Sequence, residues 1–172
     1  SNDSRTVLST GLSVARQYPK GMASSVAGYF GGGHESSAGY VSTIDRYLFS
    51  NDSRTTLGTG LSAARNQQAG FASSVAGYYA GGAESGGKVT TVDRFLFSND
   101  SRTTLSSGLS AARSGHAGMA SSSAGYVGGG RESGGDVTTV NRWLFSNDSR
   151  TTLGTGLSAA PNNLAAFGDA SV

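Results

Sequence analysis

The string SNDSRTTL occurs four times along this chain, at residues 1–8, 50–57, 98–105 and 146–153, with Val for the second Thr in the first copy. The equivalent leucines, Leu8, Leu57, Leu105 and Leu153, lie 49, 48 and 48 residues apart. Residues 51–98 differ from residues 99–146 at 13 of 48 positions. Such a period marks an array of one supersecondary unit, and a unit this short cannot bury its apolar faces alone. The chain must therefore build its core by stacking the unit on copies of itself.

Each unit reads as four short antiparallel strands. In residues 65–113, AGFASSVAG and GYYAGG are extended segments of small and aromatic residues, and KVTTVDRFLF is β-branched and aromatic. SNDS supplies turn residues, and RTTLGTGL is a fourth extended segment. No stretch carries a 3.6-residue period with caps, and Gly recurs every few residues, which argues against helices. Along VTTVDRFLF, Val89, Thr91, Phe95 and Phe97 share one face while Val92 and Leu96 lie on the other. A sheet apolar on both faces is covered on both sides, as in a ring of radially packed sheets, with the Ala/Ser/Gly-rich strands nearest the axis. The expected fold is all-β, a β-propeller of four-stranded antiparallel blades. A β-solenoid or stacked fibrous sheet is the competing architecture.

These units resemble the kelch repeat. The matching residues are the arginines Arg16, Arg65 and Arg113, then Tyr29, Tyr78 and Tyr126. The diglycines Gly32-Gly33, Gly81-Gly82 and Gly129-Gly130 follow, then Asp45, Asp93 and Asn141 with the aromatics Tyr47, Phe95 and Trp143. Two departures stand out: most kelch repeats place the aromatic further along, and the fourth arginine is replaced by Pro161. The wording of the repeats is also similar to tandem repeats in tail-fibre and other virion structural proteins of phages that infect marine cyanobacteria. That resemblance implies a rigid structural or adhesive module on a virion or extracellular appendage. The unit boundaries fall at 1–16 (partial), 17–65, 66–113, 114–160 and 161–172 (partial), in one repeat domain. Three complete units do not close a ring of four to eight blades. The expected partners are therefore further copies of the chain, or the rest of a longer chain, completing the ring.

Composition narrows the function. A net charge of +2, with Lys only at Lys20 and Lys88, is too small for nucleic-acid binding through counterion release. No apolar run reaches the length of a membrane-spanning helix, so no membrane insertion is expected. There is no cysteine, hence no disulfide, thiolate nucleophile or Cys-based zinc site. His34 and His116 occupy different positions in their units, and Glu35, Glu84 and Glu132 occur once per unit, so neither type forms a metal or catalytic set. No catalytic residue, metal or cofactor is expected.

Asn-Asp-Ser at Asn2, Asn51, Asn99 and Asn147 is formally a glycosylation acceptor, but Asn and Asp suit a hairpin tip, and the turn is the favoured reading. Asp45–Arg46 and Asp93–Arg94 point to opposite faces and are expected to pair across strands or blades. Differences between units concentrate in the connections. The candidate ligand-binding residues are Tyr18, Lys20, His34, Tyr40, Gln67, Lys88, His116, Arg131 and Asp136, against the alternative of neutral drift in exposed loops. The expected function is a non-enzymatic adhesive or structural module contacting a cell-surface glycan or protein. The alternative is a self-assembling fibre or scaffold of stacked repeats without a specific ligand.

Overall fold

The computed structural model describes residues 5–164, which form no helix and eighteen strands. The first unit contributes β1 (Lys20–Ala23), β2 (Ala27–Gly31), β3 (His34–Glu35), β4 (Gly39–Tyr40), β5 (Ile44–Leu48) and β6 (Arg54–Thr56). The second contributes β7 (Ala69–Ala72), β8 (Ala76–Ala80), β9 (Ala83–Glu84), β10 (Gly87–Lys88), β11 (Val92–Leu96) and β12 (Arg102–Thr104). The third contributes β13 (Ala117–Ala120), β14 (Ala124–Gly128), β15 (Arg131–Glu132), β16 (Gly135–Asp136), β17 (Val140–Leu144) and β18 (Arg150–Thr152). Each unit makes one antiparallel four-stranded sheet, in the orders β1-β2-β5-β6, β7-β8-β11-β12 and β13-β14-β17-β18, plus one small hairpin.

The three sheets are stacked, with the glycine-rich first strands β1, β7 and β13 adjacent to one another. They approach so closely that a Cβ on Gly118 would lie 2.6 Å from the Gly70 carbonyl oxygen. Alternation along β8 sends Tyr78 toward the third sheet and Tyr79 toward the first, so the second sheet is covered on both faces as its sequence predicts. Met22, Tyr29, Tyr79 and Phe95 fill the first interface, and Phe71, Tyr78, Val92 and Trp143 fill the second. Burying each of these large side chains contributes on the order of 1.5–3 kcal/mol. Large residues sit over glycines of the next sheet: Met22 over Gly77 and Phe71 over Gly125.

The strand expected over 88–97 is shorter than its β-branched run, spanning Val92–Leu96. Thr91 O still accepts from Gly81 N–H at 2.8 Å just past the end of β8, but Thr90 O accepts from Leu109 N–H at 2.8 Å, so the start of the run holds the connecting loop. The diglycines are where that loop lands. Gly81 has φ +61°, and a Cβ there would lie 2.7 Å from His116 Cε1, 2.9 Å from Arg113 O and closer still to Leu109 Cδ1. We expect Gly81→Ala to cost about 2 kcal/mol, from left-handed strain plus overpacking. A shift of the urea midpoint at unchanged slope would show it, whereas an unaltered midpoint would refute this account of the diglycine.

Candidate functional site

The repeated polar residues are engaged in building the sheets. Asp45 on β5 accepts from Ser13 N–H at 2.9 Å, Ser13 Oγ at 2.8 Å and Thr56 Oγ1 at 2.7 Å, and pairs with Arg16 at 3.0 Å. Asp93 on β11 repeats the set with Ser62, Thr104 and Arg65, the ion pair closing to 2.7 Å between fully buried side chains. Burial alone would raise both carboxyls. For Asp93, Arg65 and then the Ser62 and Thr104 donors hold it below the usual carboxylate range; for Asp45, Ser13 and Thr56 lead, with Arg16 behind them. In the third unit Asn141 takes this place, its Oδ1 accepting from Ser110 N–H and from Arg113 Nη2 at 3.1 Å. Arg113 is thereby buried without the aspartate, its nearest carboxylate being Glu132 at 3.8 Å, and burial lowers its pKa.

The SNDS segments are the hairpin tips joining the third and fourth strands of each sheet. Asn51, Asn99 and Asn147 each accept the backbone N–H two residues on, and Asp52, Asp100 and Asp148 take left-handed φ of 54–56°. The copy at Asn2 lies outside the described residues. The aspartates do more than turn the chain. Tyr29 Oη donates to Asp100 at 3.3 Å and Arg46 pairs with the same carboxylate, tying the first sheet to the tip of the second. Tyr78 Oη donates to Asp148 at 2.9 Å and Arg94 lies 3.6 Å from it, tying the second sheet to the third. Burial, reinforced by Asp148, raises the Tyr78 phenol well above its ordinary value. The Asp–Arg dipeptides thus split as their alternation predicts, the Asp into its own sheet and the Arg toward the next. The acceptor on the neighbouring tip was not anticipated, although Tyr29/Tyr78/Tyr126 and Asp52/Asp100/Asp148 recur together in every unit.

At the opposite end of each sheet the small hairpins gather the variable residues into rungs. Gln17 bridges His34, which pairs with Tyr40; Asn66 bridges Ala83, which pairs with Lys88; Ser114 bridges Arg131, which pairs with Asp136. Residues directly opposite in such pairs share a face. His34 and Tyr40 rings accordingly meet edge to face at 5.2 Å, and Arg131 lies 3.9 Å from Asp136. The three rungs read Gln-His-Tyr, Asn-Ala-Lys and Ser-Arg-Asp. Lys88 Nζ reaches Glu132 O at 3.5 Å, so the second and third hairpins are neighbours. The next rung, toward the hairpin turn, is Glu-Gly in all three units. Gln17, Asn66 and Ser114 belong to the rungs and begin the stretches 17–20, 66–69 and 114–117 in which the units differ, but they are not among the candidate residues, because only the bridge to a strand 17 residues on brings them there.

Tyr18 and Gln67 stand beside the rungs at equivalent left-handed positions, φ 56° and 54°, with Tyr18 exposed. Lys20 instead lines an open hollow of about 470 Å³ beside the first strands. His116 corrects the expectation of an exposed loop residue. It is fully buried between the second and third sheets, with Nε2 donating to Ala80 O at 2.8 Å. Gln68 has the same role one unit earlier, donating to Gly31 O at 2.8 Å. Pro161, the departure from the repeated arginine, keeps that position's backbone function: its carbonyl accepts from Gly130 N–H as those of Arg65 and Arg113 accept from Gly33 and Gly82. Among the described residues no group of three or more His, Cys, Asp or Glu is placed to hold a metal ion. No protein-family model and no curated protein matches the chain.

Proposed function

We propose that the three sheets are blades of a kelch-like β-propeller and that the chain is a non-enzymatic adhesive module of an extracellular or virion appendage, such as a phage tail fibre. The observation that carries this reading is a division of labour. Repeated polar side chains are consumed in fixed bonds within and between sheets, while a subset of the residues that differ between units is displayed together on the hairpin rungs. Aromatic, cationic and carboxamide groups side by side on a rigid frame are suited to a cell-surface glycan or an extended protein loop. Weak contacts from three rungs then add through geometry, as multivalent binding requires. The self-assembling scaffold is the second reading, favoured by the exposed apolar side chains of Phe30, Phe49 and Met119 on the outer faces of the first and third sheets.

Adhesion is tested on an array of bacterial surface glycans and on intact cells. The protein is expected to bind, and His34→Ala combined with Arg131→Ala to weaken binding at least about tenfold by removing two of the three rungs. Both side chains lie outside the packed interfaces, so far-UV circular dichroism should not change. Undiminished binding by that double variant, or no binding by the parent, would sink the adhesive reading.

A further inference from the structure

Each sheet meets the next through one set of contacts, and the set occurs twice. At the first interface Met22 covers Gly77, Tyr29 stacks on Phe97 with centroids 5.3 Å apart, and Tyr29 and Arg46 hold Asp100. At the second, Phe71 covers Gly125, Tyr78 stacks on Phe145 at 5.5 Å, and Tyr78 and Arg94 hold Asp148. One face of a sheet therefore offers a large apolar residue, a tyrosine and an arginine; the facing one offers a glycine, a phenylalanine and an aspartate.

Both halves recur at the two ends of the stack, with no sheet facing them among the described residues. The outer face of the third sheet presents Met119, Tyr126 and Arg142. Met119 is 49% exposed, where its equivalents Met22 and Phe71 are 7% and 4% exposed. Beside it lies an open, apolar hollow of about 400 Å³ lined by Tyr126, Gly128, Val140 and Leu157. The outer face of the first sheet presents Gly28, Phe49 and Asp52. Phe49 is 56% exposed, whereas Phe97 and Phe145 are half-buried in their interfaces. Phe30 is 41% exposed, while its equivalents Tyr79 and Val127 are fully buried against the preceding sheet.

We propose that the outer face of the third sheet binds the outer face of the first sheet in a second copy of this chain. This inference rests on reading the chain as a module of stacked blades, and it names the partner. Asp52 of the arriving copy takes the Tyr126 hydroxyl and the Arg142 guanidinium, Phe49 stacks on Tyr126, Met119 covers Gly28, and Phe30 enters the hollow beside Gly128. The contact is head to tail, so it either closes into a ring or runs on as a filament. One segment yields on docking. Residues 156–161, GLSAAP, already hold the place on the third sheet that residues 11–16, GLSVAR, of the arriving copy require: Leu157 N–H bonds Thr138 O, and Pro161 O accepts from Gly130 N–H. Arg16 keeps a buried ion pair with Asp45 that a proline cannot replace, so residues 156–161 are the ones displaced.

Sedimentation velocity over roughly 1–100 µM tests this, a range that captures contacts of moderate affinity. The parent chain is expected to move from the 17.3 kDa chain mass to multiples of it. Arg142→Asp and Asp52→Arg should each weaken association more than about 30-fold, since each sets like charges against each other at a desolvated contact. Mixing these two single variants should restore association, growing by alternation of the two, because the unchanged Arg142 of one meets the unchanged Asp52 of the other and the two substituted positions pair with their charges reversed. Placing both changes in one chain should restore association. A parent that keeps the single-chain mass throughout, or charge variants that associate like the parent, would overturn the proposal. A single-chain species that still binds glycans through the rungs would refute this inference and leave the adhesive reading standing.

Discussion

Asp93→Ala is expected to lower the unfolding free energy by about 3–5 kcal/mol, the cost of leaving one member of a buried ion pair without its partner. Asp93 and Arg65 are both fully buried, and the carboxylate also accepts from Ser62 N–H, Ser62 Oγ and Thr104 Oγ1. Removing it strands a guanidinium and a backbone N–H in the interior of the second sheet. The third unit carries a milder version of this change, because Asn141 holds the hydroxyls but leaves Arg113 Nη1 without a hydrogen bond, where Arg65 Nη1 donates to Ser62 Oγ. Asn141→Asp should therefore act in the opposite direction and add about 1–2 kcal/mol, as a charge-assisted bond replaces a neutral one. Trp143, the one tryptophan, is buried at the interface of the second and third sheets and reports unfolding by fluorescence in urea. If Asp93→Ala cost less than about 1 kcal/mol, or Asn141→Asp destabilised, the buried pair would not be what fixes the loop preceding each sheet.

How far the sequence reveals this structure depends on the range of each interaction. The repeat period, the four-strand unit and the two-faced apolar character of VTTVDRFLF are local patterns, and the sheets reproduce them: Phe95 packs toward the first sheet and Val92 toward the third. The SNDS tip is equally local, because Asn and Asp satisfy their own backbone. The second role of its aspartate is not local. Tyr29 and Asp100 are 71 residues apart, and only the co-occurrence of both residues in every unit hints that they meet. The rungs were half legible. Variation between units marked His34, Tyr40, Lys88, Arg131 and Asp136, but their strands are two residues long and carry no period. His116 shows where variation misleads. A position that differs as Gln in one unit and His in the next looks like a free loop residue, yet both side chains offer one N–H to a buried carbonyl.

That same histidine gives the stack a pH dependence. Burial pushes the His116 imidazole down to about 4 from 6.5; its bond to Ala80 O opposes this, and the cations Arg113 and Lys20 add to it. Because the folded value is depressed, the unfolded chain binds a proton that the folded chain rejects between those two pH values. Stability from this site is thus fully present above pH 6.5 and is lost as pH falls toward 4. The full loss is about 3 kcal/mol, at roughly 1.4 kcal/mol per pH unit. Asp45 and Asp93, also depressed, add their losses only below the ordinary carboxylate value of 3.8, so the window above it belongs to the histidine. His116→Gln removes the proton and keeps the bond, since Gln68 already donates from the equivalent position to Gly31 O. The variant should match the parent at pH 7 and exceed it by about 2 kcal/mol near pH 4.5 in urea midpoints converted to free energy, most of the loss having developed by then. Parallel stability curves for the two proteins from pH 7 to 4.5 would mean that the imidazole takes up its proton without leaving the interface.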